Sequence, residues 1–135
     1  MRYSDSVRIM LTKAQGSYSS ASTDLSNEIY DRAISSLYYS AFQTVTALML
    51  IRGIRSKSHT HVRSYVNNEL IKPGHVPIQL GKMYNILMDM RGDADYSDTV
   101  TFSRSQVEEL CGVIKEFNQL IITIIDKEED QEIEH

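Results

Sequence analysis

Residues 28 to 51 limit the possible folds more than any other stretch. At the helical period, Ile29, Ala33, Leu37, Ala41, Val45 and Leu48 form one stripe. Ile34, Tyr38, Phe42, Met49 and Leu50 widen it until most of the circumference is apolar. A helix of that kind must be enclosed by neighbours on several sides. Ser35, Ser36, Ser40 and Ala41 are small enough to let another helix approach closely. Gly53 ends the segment where the chain leaves a helix in the left-handed conformation. The enclosure must come from the remainder of a 135-residue chain, a length that suits one domain with one core.

The rest of the chain offers helices. Over residues 4 to 25, Val7, Leu11, Ala14, Tyr18, Ala21 and Leu25 share a face, and Ser4 or Asp5 can cap the first turn. The serines between 17 and 26 lower helix propensity, so this helix depends on packing. Ser26-Asn27 reads as its break, because Asn tolerates the left-handed conformation. A third helix spans about 59 to 70, with Val62, Tyr65, Val66 and Leu70 inward, and stops at Lys72-Pro73-Gly74. A fourth covers 77 to 90, with Pro77 in its first turn and Leu80, Met83, Tyr84, Leu87 and Met90 inside. Ser103 and Gln106 form a capping box for the fifth, and Phe102 and Val107 a hydrophobic staple. Val107, Leu110, Cys111, Ile114, Phe117, Ile121, Ile124 and Ile125 then keep the helical period. Residues 127 to 135 are acidic and polar and are expected to fray. No segment alternates like a strand. The expected architecture is all-α: one domain over residues 1 to 135, an antiparallel bundle of about five helices. The apolar load on the second and fifth helices predicts a homodimer that buries part of it.

Several function classes lose support. No stretch approaches the apolar length needed to cross a bilayer, and the first residues lack the apolar core of a signal peptide, so no membrane partner is expected. Cys111 is the only cysteine, which rules out an intramolecular disulfide and fits a reducing cytoplasm. No Cys pair, His-x-x-x-His helix, glycine-rich phosphate loop or nucleophile elbow is present. Asp93, Asp95 and Asp98 lack the glycine and closing glutamate of a calcium loop. No metal and no cofactor are expected. The net charge of -4 argues against a general polyanion-binding surface. However, Arg52, Arg55, Lys57, His59, His61 and Arg63 form a run without an acid. That run can contact a few phosphates, or it can be a solvated loop and helix start.

The segment most open to chemistry is Arg91-Gly92-Asp93-Ala94-Asp95-Tyr96-Ser97-Asp98, expected to open a loop that runs to Val100. A guanidinium holds a phosphate in bidentate fashion and stabilises charge developing on it. A Tyr hydroxyl can donate a hydrogen bond or act as a weak acid, and Asp95 can orient either group. The bland alternative is that Arg91 and an aspartate pin an interhelical loop, with Tyr96 packed over it.

Tyr30-Asp31-Arg32-Ala33-Ile34-Ser35-Ser36-Leu37-Tyr38-Tyr39-Ser40-Ala41-Phe42 resembles the central helix of small prokaryotic HEPN-domain proteins. The likeness continues through Gly53, Lys57-Ser58-His59 and Arg91-Gly92-Asp93-Ala94-Asp95-Tyr96, over roughly residues 5 to 125. The resemblance implies a dimerising helical bundle with the Arg segments of two subunits facing one cleft. It also implies an RNA-directed activity: many relatives are metal-independent ribonucleases that pair an Arg with a His four to six residues later. Several are toxins encoded beside a nucleotidyltransferase antitoxin, which in some pairs adds AMP to a Tyr near the motif. Arg91 matches the motif Arg, but Tyr96 stands where the His would be, and an unperturbed Tyr, with a pKa of about 10, exchanges protons poorly at neutral pH. The resemblance therefore leaves two readings. One is a ribonuclease or toxin component with Arg91, Tyr96 and Asp95 in the cleft and Arg55, Lys57 and His59 on phosphate, where His59 can take over the proton transfers if the third helix starts beside the cleft. The other is a non-catalytic module that binds nucleotide, RNA or a partner protein.

Overall fold

The apolar segment becomes α2 (Tyr30–Ile51), and its residues Ala33, Ile34, Leu37, Tyr38, Ala41, Val45, Ala47, Leu48 and Met49 are all fully buried. In this computed structural model, which describes residues 4–134, four further helices enclose it: α1 (Asp5–Ser26), α3 (His59–Tyr65), α4 (Ile78–Tyr96) and α5 (Arg104–Glu134). No strand occurs among the described residues. α1 packs most extensively on α2, then α5, then α4. Polar side chains inside α2 are satisfied locally. Ser40 donates to the Ala14 carbonyl at 2.7 Å, and Thr44 donates to the Ser40 carbonyl at 2.8 Å.

By length and composition α2 could cross a membrane, contrary to the sequence expectation, but 61% of its most apolar window is buried in the bundle. Its apolar surface is spent on packing.

Helix ends largely follow their residues. Ser4 accepts from the Val7 amide, and Gly53 (φ 75) ends α2 with Ile54 N–H bonded to the Met49 carbonyl at 2.8 Å. At the end of α1 the left-handed residue is Glu28 (φ 62), one position beyond the expected Asn27. The Ile29 amide closes the turn on the Asp24 carbonyl at 2.8 Å. α3 continues as a π-helical segment (Val66–Ile71), which buries Val66 and Leu70. There Asn67 exchanges amide hydrogen bonds with Asn85 of α4 at 2.8 and 3.3 Å.

One boundary corrects the sequence reading. α4 does not stop at Met90 but runs through Tyr96, so Arg91 to Tyr96 are helical rather than looped. Gly and Asp discouraged that extension on propensity. The Arg91–Asp95 pair across one turn and the packing of Met90 and Ala94 on the core outweigh it. The connection is shorter, with Ser97 accepting from the Thr99 and Val100 amides. α5 spans Arg104–Glu134, and Arg52 holds Glu128 in it through two bonds of 2.7 and 3.0 Å and also donates to the Tyr65 hydroxyl. His135 lies outside the described residues. The capping box at the start of α5 forms in both directions, at 2.8 and 3.2 Å.

Candidate functional site

The last turns of α4 lie against the middle of α2, and α3 begins beside them. Three elements thus meet around Arg91. Its guanidinium carbon sits 5.3 Å from the centre of the Tyr38 ring and 5.8 Å from that of Tyr39. One guanidinium nitrogen donates to Asp95 at 3.3 Å, one helical turn on. The second carboxylate oxygen of Asp95 accepts from the Ser35 hydroxyl. The Arg91 side chain is only 17% exposed, and its Nε is buried without a hydrogen-bond acceptor. The sequence reading anticipated an Arg–Asp contact. The site adds a charge flattened on two aromatic faces, with a donor left unanswered.

His59 completes the cluster. Ser58 accepts from the His61 amide at 3.0 Å, which fixes the first turn of α3 and turns the His59 ring inward. His59 Nδ1 is 2.7 Å from the Tyr38 hydroxyl, and its ring lies 4.5 Å from that of Phe42 and 5.8 Å from that of Tyr39. Nε2 makes no hydrogen bond among the described residues. Burial, helped by the nearby Arg91 charge, lowers the His59 pKa below its ordinary 6.5, so the ring is neutral at pH 7. Burial raises the Tyr38 phenol above its ordinary value. Arg91 is partly desolvated, but its hydrogen bond to Asp95 and the facing phenols outweigh that and keep it firmly charged.

The other expected site residues scatter. Tyr96 follows Asp95 on the same helix, so it projects about 100° away from it and about 140° from Arg91. It is 83% exposed and makes no hydrogen bond or ring contact among the described residues. Arg55 lines a separate recess between the start of α1 and the end of α2, beside Ser6, Met10 and Leu50. Lys57 is exposed. Of the remaining basic run, Arg52 is engaged by Glu128, and Arg63 by Asn85 and Asp89, so neither is free for a ligand. Sequence reasoning did not place Ser35, Tyr38 or Tyr39 in the site. Their signal was the Tyr-Tyr pair on α2, which carried the resemblance without a role. Among the described residues no group of three or more His, Cys, Asp or Glu gathers in a way that could hold a metal.

Comparison with known proteins adds a family. A family model described as HEPN domain matches residues 7–125. A Thermotoga maritima protein named "UPF0332 protein" is 35% identical over 85 residues, which are 63% of this chain and 64% of that protein. A Methanocaldococcus jannaschii protein named as a "putative toxin" is 31% identical over 110 residues, 82% of this chain and 75% of its own. A second protein so named from the same organism is 23% identical over 93 residues, 69% of either chain. The match thus spans just under two thirds of the Thermotoga relative.

Proposed function

The chain belongs to the HEPN domain family, and from that premise we propose that it has a toxin-like role, directed at RNA, in which the Arg91 cluster grips a phosphate and cleaves the strand without a metal. Two of its relatives carry a toxin name, which supports the coarser part of this reading. The observation that carries the finer part is the convergence of Arg91, Asp95, Tyr38 and His59 at the junction of α2, α3 and α4. The proton-transfer group missing at Tyr96 is supplied from α3.

The chemistry follows from that arrangement. Arg91 keeps terminal guanidinium N–H donors beyond the one given to Asp95, and a charge that does not titrate. Neutral His59 accepts the proton of a ribose 2'-hydroxyl through Nε2, while Tyr38 holds Nδ1. The 2'-oxygen attacks phosphorus, the bond to the 5'-oxygen breaks, and a 2',3'-cyclic phosphate and a 5'-hydroxyl result. The leaving oxygen needs a proton. His59, protonated by the first transfer, returns that proton to it directly or through water, and a homodimer, as the family resemblance implies, would set two such clusters across one cleft. Arg55 and Lys57, both exposed, would contact flanking phosphates. Such a substrate suits a cytoplasmic protein.

A second reading is favoured by the exposure of Tyr96. A free phenol at the end of α4 suits modification or contact by a partner, here a nucleotidyltransferase antitoxin. In that case the module can bind RNA, nucleotide or partner without turnover.

The test is incubation of the protein with total cellular RNA in EDTA, beside Arg91→Ala and His59→Ala, with end-group analysis. Cleavage to cyclic-phosphate ends by the parent alone is expected. Intact RNA with an intact dimer would sink the nuclease reading and leave the binding module, to be pursued by co-purification with the nucleotidyltransferase.

A further inference from the structure

A groove of about 710 Å³ runs between α1 and α2 and adjoins the Arg91 cluster. Ser19, Ser20 and Thr23 of α1 face Ser35 and Ser36 of α2 across it. Its inner end is Tyr39, whose ring faces Arg91, and Asp95 reaches its wall through the bond to Ser35. Its outer end holds Arg32 and Asp24. From Arg32 to Tyr39 is seven residues of helix, on the order of 10 Å.

The charges in this groove are arranged in an informative way. Asp95 already accepts from Arg91 and Ser35, and Asp24 is largely covered and lies 3.7 Å from Arg32. The floor is therefore lined by hydroxyls, with Arg32 at its outer end and Arg91 just beyond its inner end, behind Tyr39 and paired with Asp95. Arg32 is 70% exposed, and its contact to Asp24 exceeds hydrogen-bond length, so the contact is a weak surface pair that is easily given up. A polyanion lying along the floor would gain little. A nucleotide with its uncharged ribose and base on the floor and a phosphate at either end would match every feature.

We propose that this groove is a nucleotide subsite for unpaired RNA: it takes the nucleotide next to the phosphate on Arg91, with Arg32 holding the following phosphate. This rests on Arg91 holding an RNA phosphate, as argued above. The serine and threonine hydroxyls pair with the 2'-hydroxyl and base edges, and the Tyr39 ring borders the base. A duplex cannot present its base edges to such a groove, so the subsite selects single strands.

The test is fluorescence anisotropy with a labelled six-nucleotide RNA and with a dinucleotide, in EDTA and across a salt series. The proteins are the parent, Arg32→Ala, Ser20→Trp and Arg91→Ala. Arg32 and Ser20 are exposed on their helices, so both variants keep the core. Arg32→Ala is expected to bind the six-mer several-fold more weakly and to lower the salt slope by about 0.7, the loss of one phosphate contact on a single strand. Ser20→Trp fills the groove and is expected to weaken the six-mer comparably and the dinucleotide as well, because one of its nucleosides lies in the groove, while Arg32→Ala leaves the dinucleotide, which has no second phosphate, unchanged. If Arg91→Ala loses binding but the two groove variants match the parent, the subsite is overturned and the Arg91 reading stands. If the parent binds no RNA, both fall together.

Discussion

Arg91→Met separates a ligand-binding arginine from one that pins the fold. Met keeps the apolar stem against Tyr38 and Tyr39 and removes only the charged head. The head gives the fold two cation–π contacts, about 0.5–1 kcal/mol each for a partly exposed pair. Its hydrogen bond to Asp95 adds about 0.3–0.5 kcal/mol, as for other pairs one helical turn apart. Against this stands the buried, unanswered Nε, whose desolvation costs about 1–3 kcal/mol. The terms cancel to within about 1.7 kcal/mol. For a chain of 135 residues that is a change in melting temperature of about 6 °C or less in either direction. Calorimetry on parent and variant measures it, and anisotropy with a single-stranded RNA reads the function. The expected pair of results is a nearly unchanged melt with binding abolished. A fall of 8 °C or more would refute the reasoning, because Arg91 would then be a structural pin whose orphaned nitrogen has no bearing on ligands.

Other perturbations test the parts that position the site. Arg52→Ala breaks the bidentate hold on Glu128 and the bond to Tyr65, and should cost about 1.5–2.5 kcal/mol, with faster amide exchange confined to the end of α5. If α5 keeps its protection beyond Glu128, that pair does not hold the helix end. Gly81→Ala would place a methyl 2.1 Å from Ile71 Cδ1, so stability should fall by about 1–3 kcal/mol, and Ile71→Ala should cost less in the Gly81→Ala background than in the parent. The lowered pKa of His59 has a definite sign. Its unfolded form binds the proton more tightly, so its contribution to stability is present above about 6.5 and is lost as pH falls through the folded value. An NMR titration of the His59 ring should place its midpoint below 6.5, and a midpoint above it would show that the ring is not packed against Phe42 and Arg91 as described.

The helices were largely legible because their signals are local. The capping box at Ser103, Gly53 past α2 and the period-3.6 stripes each act within a turn or two, and each formed as read. One misreading has a plain cause. Arg91 to Tyr96 looked like a loop because Gly and Asp are poor helix formers. A side-chain pair supplied what propensity lacked there, Arg91 with Asp95, and at the other end of the molecule a pair across 76 residues, Arg52 with Glu128, anchors α5.

The candidate site divides along the same line. The sequence alone determined that Arg91 lies within reach of an aspartate, because three follow it within seven residues; that the partner is Asp95 followed only once the segment proved helical, which sets residues four apart on one face. It could not determine that Tyr96, the next residue, would face away, because that depends on whether the segment is helical at all. Nor could it bring His59 to Tyr38, which lies 21 residues earlier on another helix. That contact exists because α2, wrapped on all sides, fixes where α3 and α4 must lie. Burial of its apolar surface decides their positions, and the chemistry of the site follows from where they end.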